Sequence, residues 1–319
     1  MATLAVVATP GAARAQDSGP LALLLPVSAR PAALGNAWVA GRDEYAVFSN
    51  PAQVTATTGF GLTVGAYGAD TRTVATAAGV TVGPYTIGWG VHFVNFSAPR
   101  SWTGYPLTPA LLTRSGDADQ FSMLALVATQ RTVKNFRIGL AAKYAQDIVP
   151  REVSTTSLLV VPTRGSAWLA DVGTSHALWT GTAGLAVQNI GQPYLLRGRR
   201  VSVPAQVALG WTALRQWGPF DYGFATQVIA RRQGWIGVGG GVEMGWSWIE
   251  GYSVTGRVGA RRTESPGPPL LTGMPSPAVP KEAPVSVGAS FNADRLNVEY
   301  AGGFFSNSTF SHRLTLRWR

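Results

Sequence analysis

Few side chains in this chain have the type and spacing to carry covalent chemistry. The three histidines, His92, His176 and His312, fall in separate segments. His92 has Ser97 a few residues on, and His312 directly follows Ser311. A serine and an imidazole must meet on one side to act as nucleophile and base. Strand residues alternate between opposite faces, so neither pair is arranged for that work, and an enzyme is not expected. The absence of cysteine removes thiolate nucleophiles, disulfides and Cys-ligated zinc. No metal constellation stands out, and no cofactor is expected. The run Gly237, Gly239, Gly240, Gly241 suggests a phosphate-cradling loop. It fails the G-x-G-x-x-G spacing, because Val242 and Met244 stand where the third glycine belongs. What remains is a sparse set of charges set among small and apolar residues: Arg137, Lys143, Asp171, Glu243, Arg257, Arg295, Glu299 and Arg313. Their meaning depends on the elements that carry them.

Those elements must suit an unusual composition. Of 319 residues, 46% are hydrophobic and only 13% charged, with 38 glycines and 11 tryptophans. The apolar fraction is too high for a disordered chain. The longest apolar runs, such as that from Leu21 to Val27, fall short of the ~18–20 residues of a spanning helix. Apolar residues spread at period two give this profile. Tyr85, Ile87, Trp89, Val91 and Phe93 form one such stripe; Phe136, Ile138, Leu140, Ala142 and Tyr144 form another. The intervening positions hold Gly, Ala, Ser, Thr and isolated charges, as a lumen would, and not the dense Lys and Glu of a solvated face.

The pattern predicts an all-β, antiparallel transmembrane barrel. Strands are expected near 59–68, 71–82, 84–96, 118–131, 135–147, 166–178, 180–189, 203–213, 218–231, 234–244, 250–262, 283–292, 294–304 and 309–319. That is about fourteen, each near the ~9–11 residues a tilted strand needs to cross a bilayer. Connection lengths supply an independent check. The long ones (97–117, 148–165, 190–202 and 263–283) all follow odd-numbered strands, and those after even-numbered strands are short: Gly83-Pro84, Thr132 to Lys134, Trp179, Leu214 to Trp217, Gly245 to Ile249 and Ala293. Long loops outside and short turns in the periplasm are the outer-membrane rule, whereas a soluble sandwich has no reason to sort its loops this way.

Other features fit the same membrane. Leu314, Leu316 and Trp318 alternate with Arg313, Thr315 and Arg317, a closing strand similar to the C-terminal insertion signal of outer-membrane barrels. Trp168, Trp179, Trp211, Trp217, Trp235, Trp246, Trp248 and Trp318 fall towards strand ends, where aromatic girdles sit. The charge balance is +10. Much of the arginine lies in or beside the outward connections, where it suits outer-membrane lipid and lipopolysaccharide phosphates. Nucleic acid is set aside as a partner, because Lys is confined to Lys134, Lys143 and Lys281. The Pro-rich stretch from Pro266 to Pro284 reads as an extended outer loop.

The N-terminus divides differently. Residues 1–15 read as a signal peptide, with Ala13-x-Ala15 before Gln16; the positive n-region is missing, as in a truncated leader. Residues 16–58 lack the barrel pattern, and the barrel occupies 59–319. Within 16–58 stand Ala29-Arg30-Pro31-Ala32-Ala33-Leu34-Gly35-Asn36-Ala37-Trp38-Val39-Ala40, then Asp43-Glu44, then Ser49-Asn50-Pro51-Ala52. With Asp171-Val172-Gly173, Val187-Gln188-Asn189-Ile190-Gly191, Val203-Pro204 and the closing His312-Arg313-Leu314-Thr315-Leu316, this resembles the PorV/PorQ branch of the FadL superfamily along essentially the whole mature chain.

The resemblance implies a fourteen-stranded barrel whose N-terminal segment forms a hatch in the lumen. Asn50, Pro51 and Ala52 would anchor that hatch near the periplasmic end; Gln53-Val54 departs from the family's usual Gly-Leu. It further implies a non-enzymatic component of type IX-type secretion, with secretion-system components and cargo proteins as partners. The alternative is FadL-like passive transport of a hydrophobic ligand, which needs an apolar pocket and a lateral opening; Gly237 to Gly241 is the place expected for a bulge. The eight charges would face the lumen. Buried charges need partners, so a network pinning the hatch is favoured over a conduction path.

Overall fold

The computed structural model describes residues 20–55, 59–67, 71–98, 118–152, 160–196, 199–232, 236–263, 282–305 and 310–318. Residues 1–15, expected to be a signal peptide, lie outside the described residues, as do Trp235 and most of the Pro-rich stretch. The wall strands are β1 (Phe60–Tyr67), β2 (Thr71–Val82), β3 (Tyr85–Ala98), β4 (Ala118–Val133), β5 (Phe136–Glu152), β6 (Val160–Leu178) and β7 (Gly181–Gly191). After a small hairpin of β8 (Tyr194–Leu196) and β9 (Arg199–Val201), the wall continues with β10 (Gln206–Trp217), β11 (Phe220–Arg231), β12 (Ile236–Ile249) and β13 (Tyr252–Thr263). It ends with β14 (Glu282–Ala293), β15 (Leu296–Phe305) and β16 (Phe310–Trp318). These fourteen wall strands pair with their sequence neighbours, and β16 pairs with β1 from Trp318↔Phe60 to Ser311↔Tyr67, closing the barrel. The expected strands correspond to them one for one.

Period-two sequence becomes a two-faced wall. β16 alternates exposed and buried residues along its whole length, with Leu314, Leu316 and Trp318 on the lipid face and Arg313, Thr315 and Arg317 in the lumen. One end of the barrel is closed by six two-residue turns: Gly83–Pro84, Lys134–Asn135, Trp179–Thr180, Gly218–Pro219, Glu250–Gly251 and Asp294–Arg295. Each holds one residue in the left-handed region: Gly83, Lys134, Trp179, Gly218, Gly251 or Asp294. Tight hairpins require that backbone to match strand twist. A Cβ on Gly83 or Gly218 would meet nothing within 4 Å, so glycine serves conformation there and not space. Beside these turns, Phe60, Tyr85, Phe136, Trp217, Phe220, Tyr252 and Trp318 face outward as an aromatic border.

Several boundaries differ from the expectation. β10 and β12 run on to Trp217 and Ile249, so the segments 214–217 and 245–249 are strand and the turns lie beyond them. Trp211 sits mid-strand in β10 and not at a rim. β5 and β6 continue pairing to Glu152↔Val160, so one side of the wall rises beyond its neighbours and shortens the expected 148–165 loop. Pro284 lies inside β14, where a register shift between Glu282 and Ser286 accommodates it. No bulge occurs at Gly237 to Gly241: pairing with β11 runs unbroken from Ala230↔Ile236 to Phe220↔Trp246.

Candidate functional site

The lumen is occupied by residues 20–55, which touch the wall all the way round. The chain enters at β3 and β4, where Ala22 N donates to Ser122 Oγ (3.2 Å) and Ala22 O meets His92 Nδ1 (3.0 Å). It crosses to β16, where Ala29 N donates to Thr315 Oγ1 (2.9 Å). The short helix α1 (Ala29–Ala33) packs on β13, β14 and β15. At β11, one side chain, Gln227, accepts from both Trp38 N (3.0 Å) and Val39 N (2.7 Å). The return path brings Tyr45 to β1, where it accepts from Thr63 Oγ1 at 2.9 Å. Phe48 and Ser49 then offer carbonyls to Gln188 of β7.

Wall glycines explain how a folded segment fits inside. A Cβ on Gly239 would lie 2.1 Å from Gly35 O, one on Gly173 2.0 Å from Asn50 Oδ1, and one on Gly139 2.3 Å from Pro51 C. These are contacts no real Cβ makes, so the wall backbone meets plug backbone directly at Gly239 and Gly139 and the Asn50 side chain at Gly173. Gly239 and Gly241 of β12 therefore seat the plug against Gly35 and Leu34.

Asn50, Pro51 and Ala52 lie against β5 and β6, a few residues above the periplasmic turns. Asn50 is fully buried. Its Oδ1 accepts from Ala52 N (3.0 Å), capping the 3-10 turn Pro51–Gln53, and its Nδ2 donates to Val39 O (2.8 Å). Proline at the first position of that turn has no N–H to satisfy. Gln53 donates from Nε2 to Ala40 O (2.8 Å). The two halves of the plug are thereby tied to each other.

The charges form two groups. In the first, Arg317 of β16 meets Asp43 (2.9 Å) and Glu44 (2.9 Å) of the plug and Glu299 of β15 (3.5 Å). Glu243 of β12 accepts from Arg257 Nε of β13 (2.9 Å) and pairs with Arg30 of the plug; Arg257 also reaches Glu299 (3.5 Å). Four carboxylates and three guanidiniums thus nearly neutralise one another, as burial demands. Arg30 also lies over the Trp38 ring at 4.6 Å, and Arg317 near the Tyr45 ring at 5.8 Å. Burial pulls the Arg30 pKa down and the Glu243 carboxylate pulls it up, with a net rise. Tyr45 is pushed up, chiefly by burial.

The second group is Lys143, Asp171 and Asn189. Lys143 Nζ lies 2.5 Å from Asp171 and donates to Asn189 Oδ1 (3.1 Å), while Asn189 N donates to Asp171 Oδ1 (2.7 Å). Asn189 has φ +57°, and the β6–β7 register shifts here between Ala170 and Val172. This is the break in regular pairing that had been expected on β12.

Above that break the β8–β9 hairpin turns into the lumen. Tyr194 is buried over Gly165, and its hydroxyl donates to Asp147 of β5. Burial and the Asp147 carboxylate both push the Tyr194 pKa up. The hairpin residues Tyr194, Leu196, Val201 and Val203 join Leu23, Leu25 and Val27 of the plug and Leu124, Leu126 and Leu169 of the wall in one apolar cluster. That cluster lies between the hairpin and the plug.

Of the eight anticipated charges, Lys143, Asp171, Glu243, Arg257, Glu299 and Arg313 are buried in the lumen. Arg137 is half-buried and donates to Ser175 Oγ at 2.9 Å. Arg295 is a correction: it stands exposed in the Asp294–Arg295 turn, because β14 and β15 end on either side of it. Arg30, Asp43, Glu44 and Arg317 were not singled out. Arg317 was legible, since it shares the inward parity of Arg313. The plug charges carry no period from which to read them. Among the described residues, no three His, Asp or Glu side chains gather as a metal site requires.

No protein-family model matches the sequence, and no curated protein sequence matches it. Solved structures do. The CymD monoaromatic hydrocarbon channel aligns with TM-score 0.60 at 9% identity, covering 93% of this chain and 98% of that one. The P. putida toluene transporter TodX gives 0.57 at 10%, covering 92% and 98%. A Pseudomonas aeruginosa FadL homologue gives 0.56 at 10%, again covering 92% and 98%. The fold is that of FadL-type channels. At this identity the likeness concerns architecture alone. Such a barrel, lipid-facing outside and bordered by aromatics, belongs in a bacterial outer membrane.

Proposed function

We propose that the protein is a passive channel for small hydrophobic compounds, with the apolar cluster between hairpin and plug as its binding place. One observation carries this reading. A barrel that served only as a rigid platform could fill its lumen with polar pins alone, yet here Leu124, Leu126 and Leu169 line the wall opposite Leu23, Leu25 and Val27 of the plug. Apolar lumen surface is what a hydrocarbon needs to leave water. The solved proteins that share the fold include monoaromatic hydrocarbon channels and a toluene transporter. The shifted pairing at Asn189 is the place for a lateral exit into the membrane.

The secretion-platform reading takes second place, since none of the solved structures named above is titled a secretion component and two are titled a hydrocarbon channel and a toluene transporter. Uptake of radiolabelled toluene by cells carrying the protein, against cells carrying Leu169→Asp, tests the proposal. A folded variant should lose at least about tenfold of the protein-dependent rate, because burying an unpaired carboxylate in the cluster opposes apolar binding. Equal uptake with and without the wild-type protein sinks the channel reading. Co-purification of secreted cargo in that same case would point to the platform.

A further inference from the structure

The lipid-facing wall carries a polar row at its outer rim that the channel reading does not use. His312 of β16, Ala66 of β1, Arg72 of β2 and Asn95 of β3 stand opposite one another in register, all on the outward parity. The next outward row towards the membrane centre is wholly apolar: Leu314, Val64, Val74 and Phe93. An arginine facing lipid costs about 2–4 kcal/mol at mid-bilayer but only about 0–1 near the interface. Arg72 is the second residue of its strand and His312 the third of its own, so both stand at headgroup level over acyl chains.

The row is organised. Tyr300 of β15 reaches up the wall to hold His312 Nδ1 at 2.6 Å, and Phe310 stacks on the same ring with centroids 5.9 Å apart. With Tyr300 donating to Nδ1, the outer nitrogen Nε2 carries the proton and is the one offered to a ligand. Arg72 supplies a planar fork suited to phosphate oxygens. Neighbouring strands lie about 4.8 Å apart, which sets the two backbones roughly 10 Å from each other with only the Ala66 methyl between.

Charge over the whole molecule favours the same ligand. Among the described residues, the exposed charged side chains at this rim are Arg72, Arg164, Arg200, Arg232 and Arg262, all cationic, whereas the turn end mixes exposed Arg131, Lys134, Arg215 and Arg295 with exposed Glu250 and Asp294. We propose that Arg72 and His312, steadied by Tyr300, form a binding site for a phosphate of an outer-leaflet glycolipid, the lipid A part of lipopolysaccharide. The acyl chains would run down over Leu314, Val64 and Val74.

Native mass spectrometry of the full protein in detergent tests this, titrating bisphosphorylated lipid A, its dephosphorylated form and phosphatidylglycerol. The wild-type protein should prefer bisphosphorylated lipid A over each of the others by about tenfold or more, and Arg72→Gln/His312→Gln should lose about tenfold in affinity, some 1.4 kcal/mol. Arg164→Gln, outside the row, should retain full binding. Heat-modifiable migration verifies that the variants fold. Equal binding of the dephosphorylated form overturns the proposal without reference to any variant. So does equal binding of phosphatidylglycerol, which would mean a general affinity for anionic lipid, or undiminished binding by the folded double variant.

Discussion

Arg317 Nη2 of the closing strand lies 2.9 Å from Asp43 Oδ2 of the plug, joining positions 274 residues apart inside the lumen. The same guanidinium meets Glu44 and Glu299, so one side chain holds three carboxylates from the plug and the neighbouring strand. The strand that closes the barrel is thereby tied to the plug through one residue.

Replacing that residue should be costly. Arg317→Met leaves Asp43, Glu44 and Glu299 facing one another without the guanidinium that touches all three, and breaking a buried pair in this way costs about 3–5 kcal/mol. Thermal unfolding in detergent should shift down, and conductance across a planar bilayer should rise as the plug loosens. An unchanged melting profile and conductance would contradict the assignment.

Close approach at the Asn-Pro-Ala turn gives a coupled pair. Gly173→Ala drives a methyl into Asn50 Oδ1 and should cost about 1–3 kcal/mol. Asn50→Ala strands the buried Val39 carbonyl and loses the cap, again about 1–3 kcal/mol. Because the second change makes room for the first, the double variant should cost less than the sum. Tryptic cleavage at exposed Arg42 of the plug reports each loosening; strict additivity would refute the contact.

Lys143 and Asp171 make a sharper comparison. Lys143→Met alone leaves a fully buried carboxylate without its cation and should destabilise by about 3–5 kcal/mol, whereas Lys143→Met/Asp171→Leu should recover only part of that loss, because the buried Asn189 N–H then lacks its acceptor, at a cost of about 1–3 kcal/mol. Melting temperatures of the three proteins decide it. A double variant as unstable as the single would show that the pair is needed for the Asn189 bulge itself.

Alkaline pH should weaken the plug through Tyr45. Its pKa is raised in the folded protein, so the stability it contributes is intact below its ordinary value of about 10 and is lost as pH rises beyond that. Tyr45→Phe has no ionisable group and should show a smaller fall in melting temperature between pH 8 and pH 11. Identical alkaline losses in the two proteins would exclude Tyr45 as a contributor.

Period-two alternation was enough to determine the wall. Phe136, Ile138 and Leu140 could face only lipid, and Lys143, Glu243 and Arg313 only the lumen, because successive side chains in a strand point to opposite faces. Sorting of loop length by parity separated the end with short turns from the end with longer connections. The plug followed no such rule. Asp43, Glu44 and Arg30 stand in aperiodic turns, and their partners Arg317 and Glu243 are brought to them only when the sheet closes. The inward turn of Tyr194, the bulge at Asn189 and the role of the β12 glycines as a seat were likewise decided by tertiary packing. Each depends on how near two backbones come inside a closed cylinder, a distance that local spacing along the chain does not encode.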